Sequence, residues 1–424
     1  MRYFYTLLFY LALPFILLRL LWRSRKNPGY AQRINERLAC FPKSLKIKKN
    51  GIWIHAVSLG ETIAAVPLIK AIQQRYPDKA VIVTNTTPTG AERTRIALGN
   101  SVTSLYFPYD LPNILRRFLA RTEPQCLIMI ETELWPNLFH LCAKKAIPVF
   151  IANARLSEKS AGNYRRLSTL TRSMLQQVSC MAVQTQLEAD RFIQLGLDPT
   201  RVHVTGSIKF DLQLPPDLYD RAKQLRAQLG NDRSVWIAGS THEGEEELLL
   251  QAYTRVREKI PGVLLVLVPR HPERFERVAE LCQQAGYTVI RRSENKSCSA
   301  ETAIFIGDSM GELLLLYAAS TLAFVGGSLV PKGGHNPLEP AALALPVLMG
   351  PSVFNFAAIA EQLLQTDAML QINSADDLAN TVILLLQDTA KCKKMGEQGL
   401  RFVAQNRGAV RNHLLLLEKI IPEK

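Results

Sequence analysis

Short apolar runs alternate with amphipathic segments along the chain after residue 50, and this alternation constrains the fold more than any other feature. Segments such as 63–75 and 112–119 have helical periodicity and lie between the apolar runs. Such alternation indicates βαβ units and parallel sheets, and therefore an α/β fold. The predicted strands form two series: 52–57, 80–84, 104–107, 126–130, 148–152, 180–183 and 202–205, then 234–238, 263–268, 288–291, 303–306, 321–325 and 346–349.

The chain's 424 residues, of which 47% are hydrophobic, are enough for two or three domains with sizeable cores. The stretch 210–216, with its paired prolines, is the best linker candidate between the two series. We therefore predict two Rossmann-like domains with a cleft between them, at residues 27–213 and 214–424. The last helix is expected to be able to cross back to the first domain.

The N-terminus predicts a membrane anchor over residues 1–26. Residues 3–22 contain one charge, Arg19, and are long enough to cross a bilayer as a helix. Arg2 alone precedes them, whereas a basic cluster follows, which places the downstream chain in the cytoplasm. Two modes of attachment are compatible with this sequence: a helix that crosses the membrane, and an interfacial helix kinked at Pro14. The cluster consists of Arg23, Arg25, Lys26, Arg33 and Arg37.

The formal net charge of +14 predicts an anionic partner. A membrane surface explains this charge better than nucleic acid, because the sequence contains no nucleic-acid-binding motif. Seven cysteines are scattered without a C-x-x-C pair, which indicates reduced thiols in a reducing compartment. No D-x-D, H-x-x-x-H or P-loop pattern occurs. The pairs Glu131/Glu133 and Glu243/Glu245 are weak substitutes for metal ligands, so we expect no metal.

The glycine-rich stretch 324–342 predicts a ligand site at the end of a buried strand. Its four glycines, at 326, 327, 333 and 334, let the backbone turn sharply and a ligand approach closely. Asn336 and Pro337 suit a helix start, and the Glu339 carboxylate can accept hydrogen bonds from a ribose. We expect unpaired N–H groups and the positive helix end to face an anion. The alternative is an ordinary βα turn with a capped helix.

Three loops of the first domain follow predicted strands, where ligands of such sheets bind. Glu61 begins a helix and is placed to act as a general base, or alternatively as a helix cap. Glu131 and Glu133 follow strand 126–130 and would contact a sugar or a cationic partner, unless their loop is merely solvated. Lys209 could offset charge on a phosphate or carboxylate, and its alternative is a surface lysine.

Loops of the second domain suit a nucleotide. Arg270 follows strand 263–268 and can make a forked contact with a phosphate. Glycine loops cover 238–244 and 306–312. Gly311 and Glu312 begin a helix there, which offers a second place for backbone N–H groups to meet a nucleotide.

Taken together, six segments resemble the 3-deoxy-D-manno-octulosonic acid (Kdo) transferases of lipopolysaccharide synthesis. The resemblance covers nearly the whole chain, and its most specific motif is Gly-Gly-His-Asn-Pro-Leu-Glu at 333–339. It implies a GT-B glycosyltransferase fold, CMP-Kdo as donor and the lipid A precursor (lipid IVA) as acceptor. It also implies a position on the cytoplasmic face of the inner membrane. The segments are 55–61, 131–137, 205–211, 269–273, 307–312 and 326–342.

The resemblance also implies a role for each matching residue. Glu61 corresponds to the catalytic base, and Glu131 and Lys209 correspond to residues that stabilise the transition state. The CMP-binding residues would be Pro269, Arg270, Met310, Gly311, Glu312, Asn336, Pro337, Leu338 and Glu339.

We therefore expect an inverting Kdo transferase without cofactor or metal, whose partners are CMP-Kdo, the lipid A precursor and membrane lipids, but not nucleic acid. The alternatives are another GT-B transferase, a nucleotide-sugar epimerase, or a membrane-tethered nucleotide-sugar-binding protein without turnover.

Overall fold

The structure is a computed structural model that describes residues 1–25, 28–42 and 44–421. The chain divides into two compact units, Met1–Asp211 with Arg407–Lys424 and Leu212–Asn406. The division lies close to the predicted linker, and the last helix belongs to the first unit. The predicted end of the anchor, at Lys26 and Asn27, lies outside the described residues.

The first unit is built on a seven-stranded parallel sheet with the order β3-β2-β1-β4-β5-β6-β7. Every strand predicted for this half of the chain is present, with ends displaced by a few residues. The strands are β1 (Ile52–His55), β2 (Val81–Asn85), β3 (Thr103–Tyr106), β4 (Cys126–Ile130), β5 (Val149–Ala154), β6 (Cys180–Val183) and β7 (Val202–Val204).

Helices cover both faces of this sheet, which explains why its strands are continuous apolar runs. Along β1, Trp53 packs into one core, whereas Ile52 and Ile54 pack into the other, because neighbouring side chains point to opposite faces. The helices are α1 (Arg2–Ser24), α2 (Ile34–Arg37), α3 (Leu59–Arg75), α4 (Pro88–Leu98), α5 (Pro112–Thr122), α6 (Pro136–Lys144), α7 (Glu158–Arg166), α8 (Ser168–Leu175) and α9 (Gln186–Gln194).

The second unit repeats the design, with a seven-stranded parallel sheet in the order β10-β11-β9-β8-β12-β13-β14. The α/β class with two parallel sheets is therefore confirmed. Its strands are β8 (Val235–Thr241), β9 (Leu264–Pro269), β10 (Val289–Arg291), β11 (Ile304–Ile306), β12 (Leu322–Val325), β13 (Val347–Met349) and β14 (Met369–Gln371). Its helices are α10 (Leu218–Leu229), α11 (Glu245–Lys259), α12 (Phe275–Gln284), α13 (Leu313–Ala318), α14 (Leu338–Ala341), α15 (Ala357–Gln365), α16 (Ala375–Gln387) and α17 (Thr389–Gln405).

Strand β14 is the one strand of this sheet that the sequence did not predict. It has three residues, ends in an exposed Gln371 and forms an edge of the sheet. A short edge strand buries too few side chains to produce an apolar run, so periodicity does not reveal it.

The last helix, α18 (Ala409–Glu418), completes a core of the first unit. Its Leu416 and Leu417 join the cluster that includes Ile52 and Ile54. The carboxylate of Asp211 accepts hydrogen bonds from the backbone N–H groups of Gly408 and Val410, so it satisfies donors at the start of this helix.

The N-terminal helix α1 continues through Pro14 without a break. Within the described part of the chain, it is the one helix long and apolar enough to cross a membrane by length and composition. None of its residues is fully buried, but Phe9 and Leu13 pack against a core of the first unit.

Candidate active site

In the first unit, Glu61 lies in the first turn of α3, just beyond the carboxyl end of β1. Its carboxylate accepts a hydrogen bond from the backbone N–H of Val57 at 2.7 Å and another from the Ser58 hydroxyl at 2.9 Å. Ser58 in turn accepts from the backbone N–H of Glu61. The carboxylate is therefore held in one orientation, and it also helps to cap the helix, so both predicted roles fit the geometry.

Burial raises the pKa of Glu61, and the neighbouring Glu131 raises it further. The hydrogen bonds from Val57 and Ser58 oppose this rise, because they stabilise the charged carboxylate. The same crowding acts on Glu133. Burial, followed by repulsion from Glu61, raises the pKa of Glu133 to about 7. Three carboxyl groups thus share one end of the sheet, and a carboxylate with a raised pKa is a better proton acceptor at neutral pH.

Glu131 follows β4 directly and has a left-handed backbone, with φ of 59°. Its side chain accepts a hydrogen bond from Arg155 Nε at 2.9 Å and lies 3.7 Å from Lys209 Nζ. A non-glycine residue in this conformation costs about 1 kcal/mol or more and is typical of functional sites. Two cations therefore balance the predicted carboxylates, and sequence reasoning missed one of them, Arg155. Its position just after β5 was the available signal.

Lys209 lies in a short 3₁₀ turn, Ile208–Phe210, and burial lowers the pKa of its ammonium group. Asn153 fixes this turn, because its side-chain oxygen accepts from the backbone N–H of Ile208 at 3.1 Å. His413 Nε2 accepts from the backbone N–H of Asn153 at 2.9 Å. The position of Lys209 therefore depends on α18, which no local sequence pattern could have revealed.

The glycine loop of the second unit follows β12 and approaches its neighbours closely. A Cβ atom on Gly326 would lie 2.5 Å from the carbonyl oxygen of Ser240. Gly327, Gly333 and Gly334 all have left-handed backbones, with φ of 70°, 87° and 70°. The tight turn that the sequence predicted is therefore present.

The expectation of unpaired N–H groups in this loop is wrong for most of its residues. The Glu245 carboxylate accepts from the backbone N–H groups of Gly327, Ser328 and Leu329 at 2.7 to 3.0 Å. The N–H groups of Gly334 and His335 donate to carbonyl oxygens of the same loop. Buried backbone donors need partners, and here Glu245 replaces a bound anion. Glu245 therefore shapes the loop.

Asn336 and Glu339 lie at the start of α14. The Asn336 side-chain oxygen accepts from the backbone N–H of Leu338 at 3.1 Å, and its amide donates to the Glu339 carboxylate at 3.2 Å. Helix α14 has only four residues, so the predicted positive helix end is weak. Pro337 and Leu338 are buried, which leaves the half-buried Glu339 as the side chain best placed for a ribose.

Arg270 follows β9, and its backbone N–H donates to the carbonyl oxygen of Thr241 at 3.0 Å. Nearby, the rings of His242 and His335 stack with an interplanar angle of 4°, and their Nε2 atoms are 2.9 Å apart. Burial, then the charge of Arg270, lowers the pKa of His335 to about 3. The histidine pair is therefore neutral near pH 7, and the sequence had not paired these two residues.

The segment 310–312 precedes α13, which packs against α14. Met310 is 64% exposed, and Gly311 has a left-handed backbone with φ of 85°. The Glu312 carboxylate accepts two hydrogen bonds from Arg292, at 3.0 and 3.1 Å. Glu312 is thus already neutralised by a cation, whereas Met310 and Gly311 are accessible to a ligand.

The predicted site residues therefore form two groups. Glu61, Glu131 and Lys209 lie at the carboxyl end of the first sheet. In the second sheet, Pro269 ends β9, and the other donor-site candidates follow β9, β11 and β12. No group of three or more His, Cys, Asp or Glu side chains within residues 1–25, 28–42 and 44–421 could hold a metal ion.

Comparisons with known proteins agree with this layout. Residues 32–212 match the family model described as 3-Deoxy-D-manno-octulosonic-acid transferase (kdotransferase), and residues 241–402 match Glycosyl transferases group 1. A solved UDP-GlcNAc 2-epimerase from Neisseria meningitidis covers 87% of this chain and all of its own, with a TM-score of 0.58 and 13% identity. That likeness shows the GT-B type of fold alone.

Two curated relatives are named 3-deoxy-D-manno-octulosonic acid transferase. The protein from Bordetella pertussis is 35% identical, over 87% of this chain and 86% of its own. The protein from Haemophilus influenzae is 42% identical over 418 residues, 98% of each chain. With identity at this level over nearly its full length, the chain belongs to the 3-deoxy-D-manno-octulosonic acid transferase family and is a glycosyltransferase.

Proposed function

We propose that the protein transfers Kdo from CMP-Kdo to a hydroxyl group of the lipid A precursor, lipid IVA, with inversion at the anomeric carbon. The observation that carries this proposal is the half-buried Glu61 carboxylate, held by two hydrogen bonds beside Glu131 and the cations Arg155 and Lys209. A fixed carboxylate with a raised pKa has the properties of a general base.

In the proposed reaction, Glu61 takes the proton of a glucosamine hydroxyl as its oxygen bonds to the anomeric carbon of Kdo. The bond between that carbon and the CMP phosphate oxygen breaks, and CMP leaves with the electron pair. The Kdo ring has oxocarbenium character as these bonds change. Glu131 would stabilise this positive charge and orient Lys209, which would offset the negative charge that develops on the phosphate.

In the second unit, we assign CMP binding to Pro269, Arg270, the segment 310–312 and the segment 336–339. Arg270 would contact the phosphate through its guanidinium group. The Glu339 carboxylate, which Asn336 orients, would accept a hydrogen bond from a ribose hydroxyl. Glu312 would act through Arg292, because its carboxylate already accepts two hydrogen bonds from that side chain.

We place the protein at the cytoplasmic face of the inner membrane. The apolar helix α1 supports this location, since it has the length and composition of a membrane helix. Basic residues that follow it would be attracted to anionic head groups. Such a location suits an acceptor that carries acyl chains and phosphates.

The test is mass spectrometry of products formed from CMP-Kdo and a tetra-acylated glucosamine disaccharide bisphosphate dispersed in detergent. We expect the acceptor mass to increase by one or more Kdo residues, and no increase with UDP-GlcNAc as donor. Release of CMP with no modified acceptor would contradict the proposed acceptor. Transfer from UDP-GlcNAc, or its epimerisation, would favour the alternative nucleotide-sugar enzymes.

A further inference from the structure

A cavity of about 210 Å³ lies where α1 meets α5 and α6 in the first unit. Its lining combines basic side chains, Arg2, Arg116, His140 and Lys144, with the apolar or aromatic Tyr3 and Leu141. We call it the cationic cavity. None of its basic residues belongs to the carboxylate cluster or to the nucleotide loops described above.

Two of the four basic side chains of this cavity, Arg116 and Lys144, lack an acidic partner in the part of the chain that the structure describes. Among the described residues, no carboxylate forms an ion pair with Arg116 or Lys144. Arg2 donates to the side-chain oxygen of Asn137 at 3.1 Å, and Asp110 is the acidic group whose charge it influences. Burial, then Arg2 and Lys144, lowers the pKa of His140. The cavity therefore favours an anion with several acceptor oxygens, such as a phosphate group.

Helix α1 is attached to the first unit near both of its ends. Near its start, the Thr6 hydroxyl contacts Asn137 at 3.0 Å and the Tyr10 hydroxyl donates to Asn113 at 2.7 Å. At its far end, Arg23 donates to the Tyr30 hydroxyl at 2.6 Å, and the neighbouring Gly29 carbonyl oxygen accepts from the Tyr106 hydroxyl of β3 at 3.2 Å. A helix of 23 residues is about 34 Å long. A helix that crossed a bilayer would carry Arg2 and Thr6 to the opposite side, away from Asn137.

The face of α1 that points away from the unit is largely apolar, with Arg19 as its charged exception before the last turn. Such a helix, with one face docked on protein and the other apolar, suits the plane of a membrane interface. Tyr3 belongs to this outer face and also lines the cationic cavity, so the cavity opens beside it. The exposed large apolar side chains are Tyr3, Phe4, Leu7, Leu8, Tyr10, Leu11, Phe15, Leu18, Leu21 and Trp22.

We propose that α1 lies in the plane of the membrane interface and that the cationic cavity binds the phosphate head group of an anionic phospholipid. The acyl chains of that lipid would lie against the outer face of α1, while its phosphate contacts Arg2, Arg116 and Lys144. This inference rests on the proposed membrane location, and it adds the mode of attachment and a lipid site.

The first experiment measures sedimentation of the full chain with phosphatidylcholine vesicles, with and without phosphatidylglycerol. The double variant Arg116→Ala/Lys144→Ala removes two exposed cations of the cavity. Each cation near an anionic surface contributes about fivefold to binding. We therefore expect the increase in vesicle affinity that phosphatidylglycerol causes to be about thirtyfold smaller in this variant. The matched control Lys70→Ala/Arg166→Ala removes the same charge from exposed positions elsewhere in the unit and should keep that gain.

Equal losses in the two double variants would overturn the site, because only the overall charge would then matter. Kdo transfer to detergent-dispersed acceptor is measured on the same proteins, and we expect it to be unchanged. If the unaltered chain lacks transfer, the proposed function fails, whatever the vesicle result.

The second experiment tests the in-plane helix with a protease-cleavable tag before Met1, in vesicles that carry the folded units on their outer surface. We expect added protease to remove the tag without detergent. A tag that becomes cleavable only after detergent would show a crossing helix and would overturn the proposal.

Discussion

Both sheets have seven parallel strands, in different strand orders, and their carboxyl ends carry opposite chemistry. The first unit gathers Glu61, Glu131 and Glu133 there, whereas the second unit places neutral histidines and Arg270 beside a glycine loop. Burial disfavours the charged form of each group, so it raises the pKa of a carboxyl group and lowers the pKa of a histidine. It raises the pKa of Glu133 to about 7 and lowers the pKa of His335 to about 3. Under the proposed function, one type of scaffold would hold the proton acceptor in one unit and the site for the anionic nucleotide in the other.

The largest effect should come from removing the proposed base. Glu61→Gln should lower turnover by about 100-fold or more, because an amide cannot take the proton of the acceptor hydroxyl. Its amide oxygen can still accept from the Val57 N–H, so folding and CMP binding should be kept. Steady-state kinetics with calorimetry of CMP binding is the measurement.

Glu92→Gln is the matched control for this variant. Glu92 is exposed on α4 of the same unit and forms an ion pair with Arg95, so its loss should leave turnover unchanged. Near-normal turnover in Glu61→Gln would reduce Glu61 to a helix cap and would remove the distinction between the two sheet ends.

The features that the sequence predicted are those that depend on short stretches of chain. Glu61 follows a strand and begins a helix, and the tight glycine turn at 326–334 needs glycine for its left-handed backbone. Glu245 shows what short stretches of chain do not predict. It pairs with N–H groups more than eighty residues away, across β8 and β12, and so replaces the anion that the sequence suggested for that loop. Arg155 and His413 likewise gain their roles only when distant strands and α18 pack together.

A smaller loss should follow from changes at the second sheet, and it should appear in binding. Arg270→Ala and Glu339→Ala should each weaken CMP binding by about tenfold or more, as expected for losing a hydrogen bond to a charged group. Calorimetry with CMP measures this. Arg277→Ala, an exposed position of the same unit, serves as the control. Unchanged affinity in both variants would place the nucleotide elsewhere.

Glu133 offers a test through stability. Its pKa in the folded protein, about 7, is above the value near 4.3 expected in the unfolded chain. The folded state therefore binds this proton more tightly, and its stability falls as pH rises between these values. Glu133→Gln removes this term. Between pH 5 and pH 8, we expect the melting temperature of the unaltered protein to fall by about 5 to 10 °C more than that of the variant, because about two pH units of this difference correspond to about 2.7 kcal/mol.

For His335 of the second unit, stability should change with pH in the opposite direction. The pKa of His335, about 3, lies below the value near 6.5 of an unfolded histidine, so stability is lost as pH falls below 6.5. His335→Gln should lessen this loss, measured as melting temperature at pH 7 and pH 4.5. The same pH dependence in both proteins would mean that His335 is more solvated than its burial implies.

The smallest effect on chemistry should come from removing α1, because its contacts lie outside both groups of site residues. A chain beginning at Pro28 should bind vesicles less tightly, yet still transfer Kdo to acceptor dispersed in detergent. Some stability should be lost, since Phe9 and Leu13 no longer cover their core and Asp110 loses the nearby charge of Arg2. Asp110 keeps its hydrogen bonds from the N–H groups of Asn137 and Leu138, so α6 should remain in place.

Sedimentation, thermal unfolding and transfer of this shortened chain are measured on one preparation. A shortened chain that is folded and binds CMP, but cannot use the dispersed acceptor, would show that α1 belongs to the acceptor site. The docking of α1 on Asn137, four residues after Glu133, would then be the physical route by which the membrane helix acts on the carboxylate cluster.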